Sequence, residues 1–116
     1  MNKIILYGRL TKNPELRDTQ KGDSVANFTL AVSRNFTNKD GERDTDFIPC
    51  VAWNKQAEFI SKHFQKGQPM LLEGRLQIRI YDDEDGNRHW LSEVMAEKIE
   101  FASRWSEEVS CDENNG

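Results

Sequence analysis

Thiols are scarce in this sequence: of 116 residues only Cys50 and Cys111 carry one. They stand far apart and one lies close to the end, so they read as reduced cysteines and exclude a disulfide framework. Histidine is equally sparse. His63 and His89 belong to no H-E-x-x-H pairing and no C-x-x-C exists, which leaves no recognisable zinc site. The phosphate cradles G-x-x-x-x-G-K-[ST] and G-x-G-x-x-G are missing, and so is the G-x-S-x-G nucleophile turn. The acidic run Asp82, Asp83, Glu84, Asp85 resembles a calcium loop only in composition. In the EF-hand register Gly86 would put Tyr81 at the first ligand position. No catalytic residue, metal or cofactor is therefore expected. No apolar run approaches the ~18 residues that a membrane span needs. The N-terminus also lacks a basic-then-apolar leader, so a cytoplasmic location is expected.

The core-forming residues are few. Leu, Ile, Val and Phe together number 26 of 116. That exceeds the disordered regime but is thin for one self-sufficient domain, and self-association is a common remedy.

Positive charge is also in short supply overall, with 16 Lys and Arg against 20 Asp and Glu. Nucleic-acid binders are usually basic, so the balance first argues against that class. Its distribution reverses the impression. Residues 106–116 hold four acids and no base, and without that stretch residues 1–105 are neutral. Residues 1–39 carry seven bases and three acids, and residues 53–81 carry five and two. The acids gather in apparent turns, in 82–100 and at the end, which leaves room for a locally positive surface.

What is present is alternation. Residues 3–10 (KIILYGRL) suit a strand, apolar on both faces, and residues 11–23 read as a long polar loop. Residues 24–34 put Phe28, Leu30 and Val32 on one face and Asn27, Thr29, Ala31 and Ser33 on the other, the pattern of a half-buried strand. Asp40-Gly41 signals a hairpin, and 45–53 returns as a strand in which Pro49 points to an edge or a bulge. A helix follows. Asn54 is a good N-cap, Ala57, Ile60 and Phe64 form its apolar stripe, Gly67 suits the C′ position and Pro69 blocks continuation. Residues 70–81 put Leu72, Leu76, Ile78 and Ile80 on one face and Glu73, Arg75, Gln77, Arg79 and Tyr81 on the other. A second Asp-Gly turn leads into a last strand at 88–102. Gly-Arg-Leu occurs at 8–10 and 74–76, and glycine inside a strand marks a sharp barrel bend. The order β-β-β-α-β-β predicts an all-β OB-fold, a five-stranded Greek-key barrel with one helix between strands 3 and 4. The domain is expected over 1–104, and 105–116 reads as a short acidic, disordered tail.

The chemistry that remains is aromatic and basic. Phe47 and Trp53 share parity on their strand, opposite Ile48, Cys50 and Ala52. Tyr81 shares a face with Arg75 and Arg79, and Phe36 sits between Arg34 and Lys39. Flat rings interleaved with cations are what sequence-tolerant binding of a single strand needs: bases stack and cations track phosphates. Each position also has a plainer reading. Phe47 and Trp53 as core, with Ile48 and Cys50 outside, is the lesser alternative; Phe36 would be a hairpin anchor, and each base solvated surface.

These stretches resemble the bacterial and phage single-stranded DNA-binding protein family over about residues 1–104. The resemblance runs through N-K-I-I-L-Y-G-R-L with N-P-E-L-R at 13–17, S-V-A-N-F-T-L-A-V-S at 24–33, T-D-F-I-P-C-V-A-W-N-K-Q-A-E at 45–58, K-G-Q-P-M-L-L-E-G-R-L at 66–76 and E-V at 93–94. It implies that Phe36, Phe47, Trp53 and Tyr81 stack on DNA bases. It matches Lys39, Lys55, Lys66 and Arg79 to basic positions; Arg34 and Arg75 join them as candidate phosphate contacts from their places beside the aromatics. Phe36, Phe47 and Tyr81 stand where tryptophan is common in the family. Pro49 and Ile80 replace basic residues. The resemblance further implies a homotetramer built as a pair of dimers. Ile5 and Tyr7, on the face of the first strand opposite Ile4, Leu6 and Leu10, are the candidate interface. A protein of this kind coats and protects single strands during replication, recombination and repair. The family's acidic Pro/Phe tail tip, which recruits replication and repair proteins, has no counterpart in 105–116. An OB-fold subunit serving protein interaction in a replication or primosome complex, and a small nucleic-acid enzyme, are the competing readings.

Overall fold

In the computed structural model, residues 1–102 are described. Their order is β1 (Ile4–Leu10), β2 (Glu15–Asp18), β3 (Ser24–Thr37), β4 (Arg43–Trp53), α1 (Asn54–His63), β5 (Pro69–Asp82) and β6 (Arg88–Phe101). The expected tail and Cys111 lie outside the described residues. β1 pairs antiparallel with β5, β5 with β6, β4 with β3 and β3 with β1, while β6 runs parallel to β4. Those five strands close on themselves as an OB-fold barrel with α1 between β4 and β5. Leu10, Leu30, Cys50, Met70 and Leu72 fill it, and Ala57 and Ile60 of α1, with Phe64 just after the helix, complete the core. Burial pushes the Cys50 thiol up to about 12, so it stays protonated at neutral pH and packs as a small apolar group.

Two glycines make the closure possible. A Cβ on Gly8 would come within 2.7 Å of the Ala31 carbonyl oxygen, where β1 passes from β5 to β3. A Cβ on Gly74 would collide with the Met95 carbonyl. Gly74 also marks a register shift: Glu73 pairs with Lys98 but Gly74 with Ala96, so Glu97 is the extra residue of a bulge.

The structure departs from the sequence expectations in four places. The supposed loop 11–23 contains β2, which pairs with residues 24–27 of β3. β1 reaches β3 only at Leu30 and Ala31, which leaves that edge of β3 open for another strand. Backbone hydrogen bonds suffice to fill it, so the exposed Glu-Leu-Arg-Asp segment needs no apolar alternation. Asn54 does not cap the helix: its Oδ1 accepts the Ser24 N–H at 3.1 Å and its φ is +53°. Asparagine tolerates that left-handed corner. The helix stops at His63, before Gly67, which instead adopts φ +86° in a turn whose N–H donates to the Leu10 carbonyl. Finally, Leu72, Leu76, Ile78 and Ile80 do share a face, but only Leu72 is buried. Leu76 still borders a small pocket with Ile4, Leu6 and Phe47; beyond it the β5–β6 hairpin leaves the barrel as an arm, and Ile78 and Ile80 continue the row in the open. Pro49 sits where only β3 flanks β4; pairing to β6 begins one residue later, at Cys50. A missing N–H costs nothing there.

Candidate nucleic-acid interface

Trp53 ends β4 and faces outward, 41% exposed, opposite Val25 of β3. The reversal at Asn54 and its bond to Ser24 hold the indole at the strand-to-helix corner. Beside it runs an open groove of about 810 Å³, lined by Trp53, Lys55, Gln56, Arg75, Gln77 and Met95, with Glu97 at its margin. The bulge places Glu97 there, where its carboxylate stands 3.6 Å from Arg75 Nε. Arg75 also donates to Gln77 Oε1 at 3.0 Å. Lys55 makes no ion pair with a described residue. Trp53, Lys55 and Arg75, which the sequence left on separate elements, thus line one groove.

The same outward face of β5 continues through Arg79 to Tyr81. Arg79 is held by Glu93 at 3.2 Å, and that carboxylate is 7% exposed while the guanidinium stays open. Next to this pair lies a smaller cleft of about 270 Å³, to which Lys12 and Arg17 contribute. Neither residue was a sequence candidate. Arg17 is carried there by β2, whose pairing has no signal in side-chain alternation. Tyr81 stacks on His89, the residue opposite it in the hairpin.

The β3–β4 hairpin carries Phe36 and Phe47, each 65% exposed. Neither is core. Phe36 borders a groove of about 970 Å³ shared with Tyr7, Arg9, Arg34, Arg43 and Asp46. Arg34 is clamped: its Nη2 and Nε lie 2.9 and 3.1 Å from the two Asp46 carboxylate oxygens. The Arg34 hydrogen bond holds the Asp46 carboxyl below its usual range. Lys39 is exposed at the hairpin tip, where Asn38 Oδ1 accepts the N–H groups of Asp40 and Glu42. Lys66 is not part of either groove. It follows α1 at the end away from Trp53, ~15 Å along ten residues of helix. Its N–H donates to Asn13 Oδ1.

Three of the six proposed cations, Arg34, Arg75 and Arg79, are therefore engaged by carboxylates, which local charge counting along the sequence did not reveal. These pairs are exposed on the arginine side. At Arg34 and Arg75, where the carboxylates are exposed too, a phosphate that replaces the carboxylate loses little, because surface pairs contribute ~0–1 kcal/mol. The cations without a described carboxylate partner include Lys39 and Lys55, together with Lys12, Arg17 and Arg43 from positions sequence reading passed over.

Comparison with known proteins agrees with this geometry. The model of the single-strand binding protein family matches residues 1–102. The chain is 52% identical over 101 residues to a single-stranded DNA-binding protein of Halalkalibacterium halodurans, an alignment covering 87% of this chain and 60% of that one. It is 50% identical over 101 residues to single-stranded DNA-binding protein A of Bacillus subtilis, covering 87% of this chain and 59% of the relative. A Listeria innocua relative, single-stranded DNA-binding protein 2, is 47% identical over 115 residues, covering 99% of this chain and 72% of its own. The chain spans about 60% of the length of the first two relatives. With its closed five-strand barrel, its glycine-dependent crossings and this similarity along nearly all described residues, the chain belongs to the single-strand binding protein family.

Proposed function

We propose that the chain binds single-stranded DNA without a sequence code and without catalysis, in the service of replication, recombination and repair in the bacterial cytoplasm. The observation that carries this is Trp53: a half-exposed indole on the barrel's outer face, in an open groove with Lys55 and Arg75. An aromatic surface next to cations suits a flexible polyanion whose bases are free to stack, whereas a duplex hides those faces. Phe36, Phe47 and Tyr81 supply further rings. Lys39, Lys55, Arg75 and Arg79 serve the phosphates, with Arg34 and Lys66 at the periphery. Residues 1–104 form the binding domain. The relatives' names, which state single-stranded DNA binding, support the same reading.

The unit that binds is, in this proposal, a homo-oligomer, and a tetramer is the family's expectation. Support comes from β1. Ile4–Gly8 pair with β5 on one side, while β3 takes only Arg9 and Leu10 on the other. That leaves an open strand edge, and Ile5 and Tyr7 beside it stand 65% and 55% exposed. Open edges are natural pairing sites for a second copy.

Titration of tryptophan fluorescence with oligo(dT) and with a duplex of equal length, across salt, tests the proposal. Tight binding to the single strand, weak binding to the duplex and a log affinity that falls linearly with log salt are expected. Equal affinity for the two would contradict it.

A further inference from the structure

The arm carries an arrangement that the stacking scheme leaves unused. Tyr81 and His89 are directly opposite in the antiparallel register, so both rings rise from one face. The planes differ by 21° and the centroids are 5.2 Å apart. His89 Nε2 lies 2.7 Å from Asp83 Oδ2. Asp83 is itself fixed, since its Oδ1 accepts the N–H groups of Asp85 and Asn87 at 2.9 and 2.8 Å. A continuous set of contacts thus runs from the backbone of the turn, through a carboxylate and an imidazole, to the tyrosine ring. The His89 hydrogen bond keeps the Asp83 carboxyl below its usual range, so the acid stays ionised in mildly acidic solution. Facing an ionised acceptor, Nε2 is the donor, and Nδ1 is left as the second polar edge of the ring. Among the described residues nothing hydrogen-bonds to Nδ1.

We propose that His89 is a nucleic-acid-binding residue, forming with Tyr81 a two-ring platform for one nucleobase and turning Nδ1 toward the neighbouring phosphate. The proposal rests on the single-strand reading above and adds a residue to it. His89 covers one face of Tyr81, so a base is admitted on the outside of the pair and not on both sides of the phenol. A neutral imidazole offers Nδ1 only as an acceptor, which a phosphate does not need. A protonated one offers an N–H and a charge. That charge matters at this tip, where Asp82, Asp83, Glu84 and Asp85 oppose a polyanion. The other charged groups near the ring are already paired: Arg79, on the same face, with Glu93, and Arg88, on the opposite face, with Asp82. Only β5 and β6 build the arm, so no other described element brings a charge against His89.

The test compares wild type, His89→Phe and His89→Ala by oligo(dT) affinity at fixed ionic strength, at pH 8 and pH 5.5. Thymine bases do not titrate there. Wild type is expected to bind about threefold more tightly at pH 5.5, as one further phosphate contact would give. His89→Phe, which keeps a ring against Tyr81, should bind more tightly than His89→Ala at pH 8 and lose that gain. His89→Ala should bind about five- to tenfold more weakly at both pH values, through loss of half the platform. Trp53→Ala serves as the reference for the parent reading. If it weakens binding while His89→Ala leaves affinity and pH response unchanged, the His89 proposal falls alone. A pH gain retained by His89→Phe overturns the phosphate role. If wild type fails to bind oligo(dT) at all, the parent reading falls and takes this one with it.

Discussion

The barrel and the arm are written in the same alternating code yet have opposite fates. Leu72 and Ile78 lie on one face of one strand, six residues apart, and both are apolar. Leu72 is fully buried, whereas Ile78 is 47% exposed, and Ile80 and Trp90 beyond it are more exposed still. The difference is what stands across from each. Leu72 looks into a closed ring of strands completed by α1. Past Leu76 and Val94, where the pairing of β6 to β4 has ended, β5 and β6 have only each other. Period-two alternation therefore reports a face, and burial requires a second layer to cover it. The contrast separates two jobs: the barrel is a rigid support, and the arm extends side chains such as Tyr81 and His89 away from it.

Substitutions along that one face sharpen the comparison. Leu72→Ala should cost about 2–5 kcal/mol of folding stability, the range for a large aliphatic lost from a packed core. Ile78→Ala should cost less than ~1 kcal/mol, as a half-solvated side chain on a two-stranded arm. Chemical denaturation of both variants at the same protein concentration reads the difference directly. A loss at Ile78 that matches the loss at Leu72 would show that another surface covers the arm. A smaller effect on folding, with a larger one on assembly, is expected at the β1 edge. Ile5→Glu and Tyr7→Glu should each change folding stability by less than ~1 kcal/mol in the separated chain, since both positions are solvent-facing there. Each should nevertheless lower the mass measured by light scattering, because a carboxylate buried between copies has no partner. If both variants keep the wild-type mass, the chains meet elsewhere.

Much of this was legible in the sequence for a physical reason. The parity of Phe47 and Trp53 against Ile48, Cys50 and Ala52 survives in β4 because a strand cannot rotate one side chain without rotating its neighbours. Ala57 and Ile60 are buried on the helix as their spacing requires, while Phe64, read as part of the same stripe, is buried from the extended residue that follows the helix. The glycines of the repeated Gly-Arg-Leu stand where backbones cross. Other features depend on distant partners and have no local signature. β2 forms because an edge of β3 is left open by the path of β1, and its own residues say nothing of it. Asn54 looks like a cap, but Ser24, thirty residues earlier, takes its side chain. Arg34 and Arg79 look like free cations until the register brings Asp46 and Glu93 to them. The His89–Tyr81 pair was within reach, since the hairpin turn fixes which residues face each other.

The central claim is that the outer face of the barrel at Trp53 binds bases rather than completing the core, and Trp53→Ala tests it with two readings on one protein. Loss of a stacking platform should weaken oligo(dT) binding by about 1–3 kcal/mol while the melting temperature stays near that of wild type. A core tryptophan would behave in the opposite way, costing about 3–5 kcal/mol of stability on truncation. A folded variant with unchanged affinity, or a variant whose melting temperature collapses, would contradict the claim.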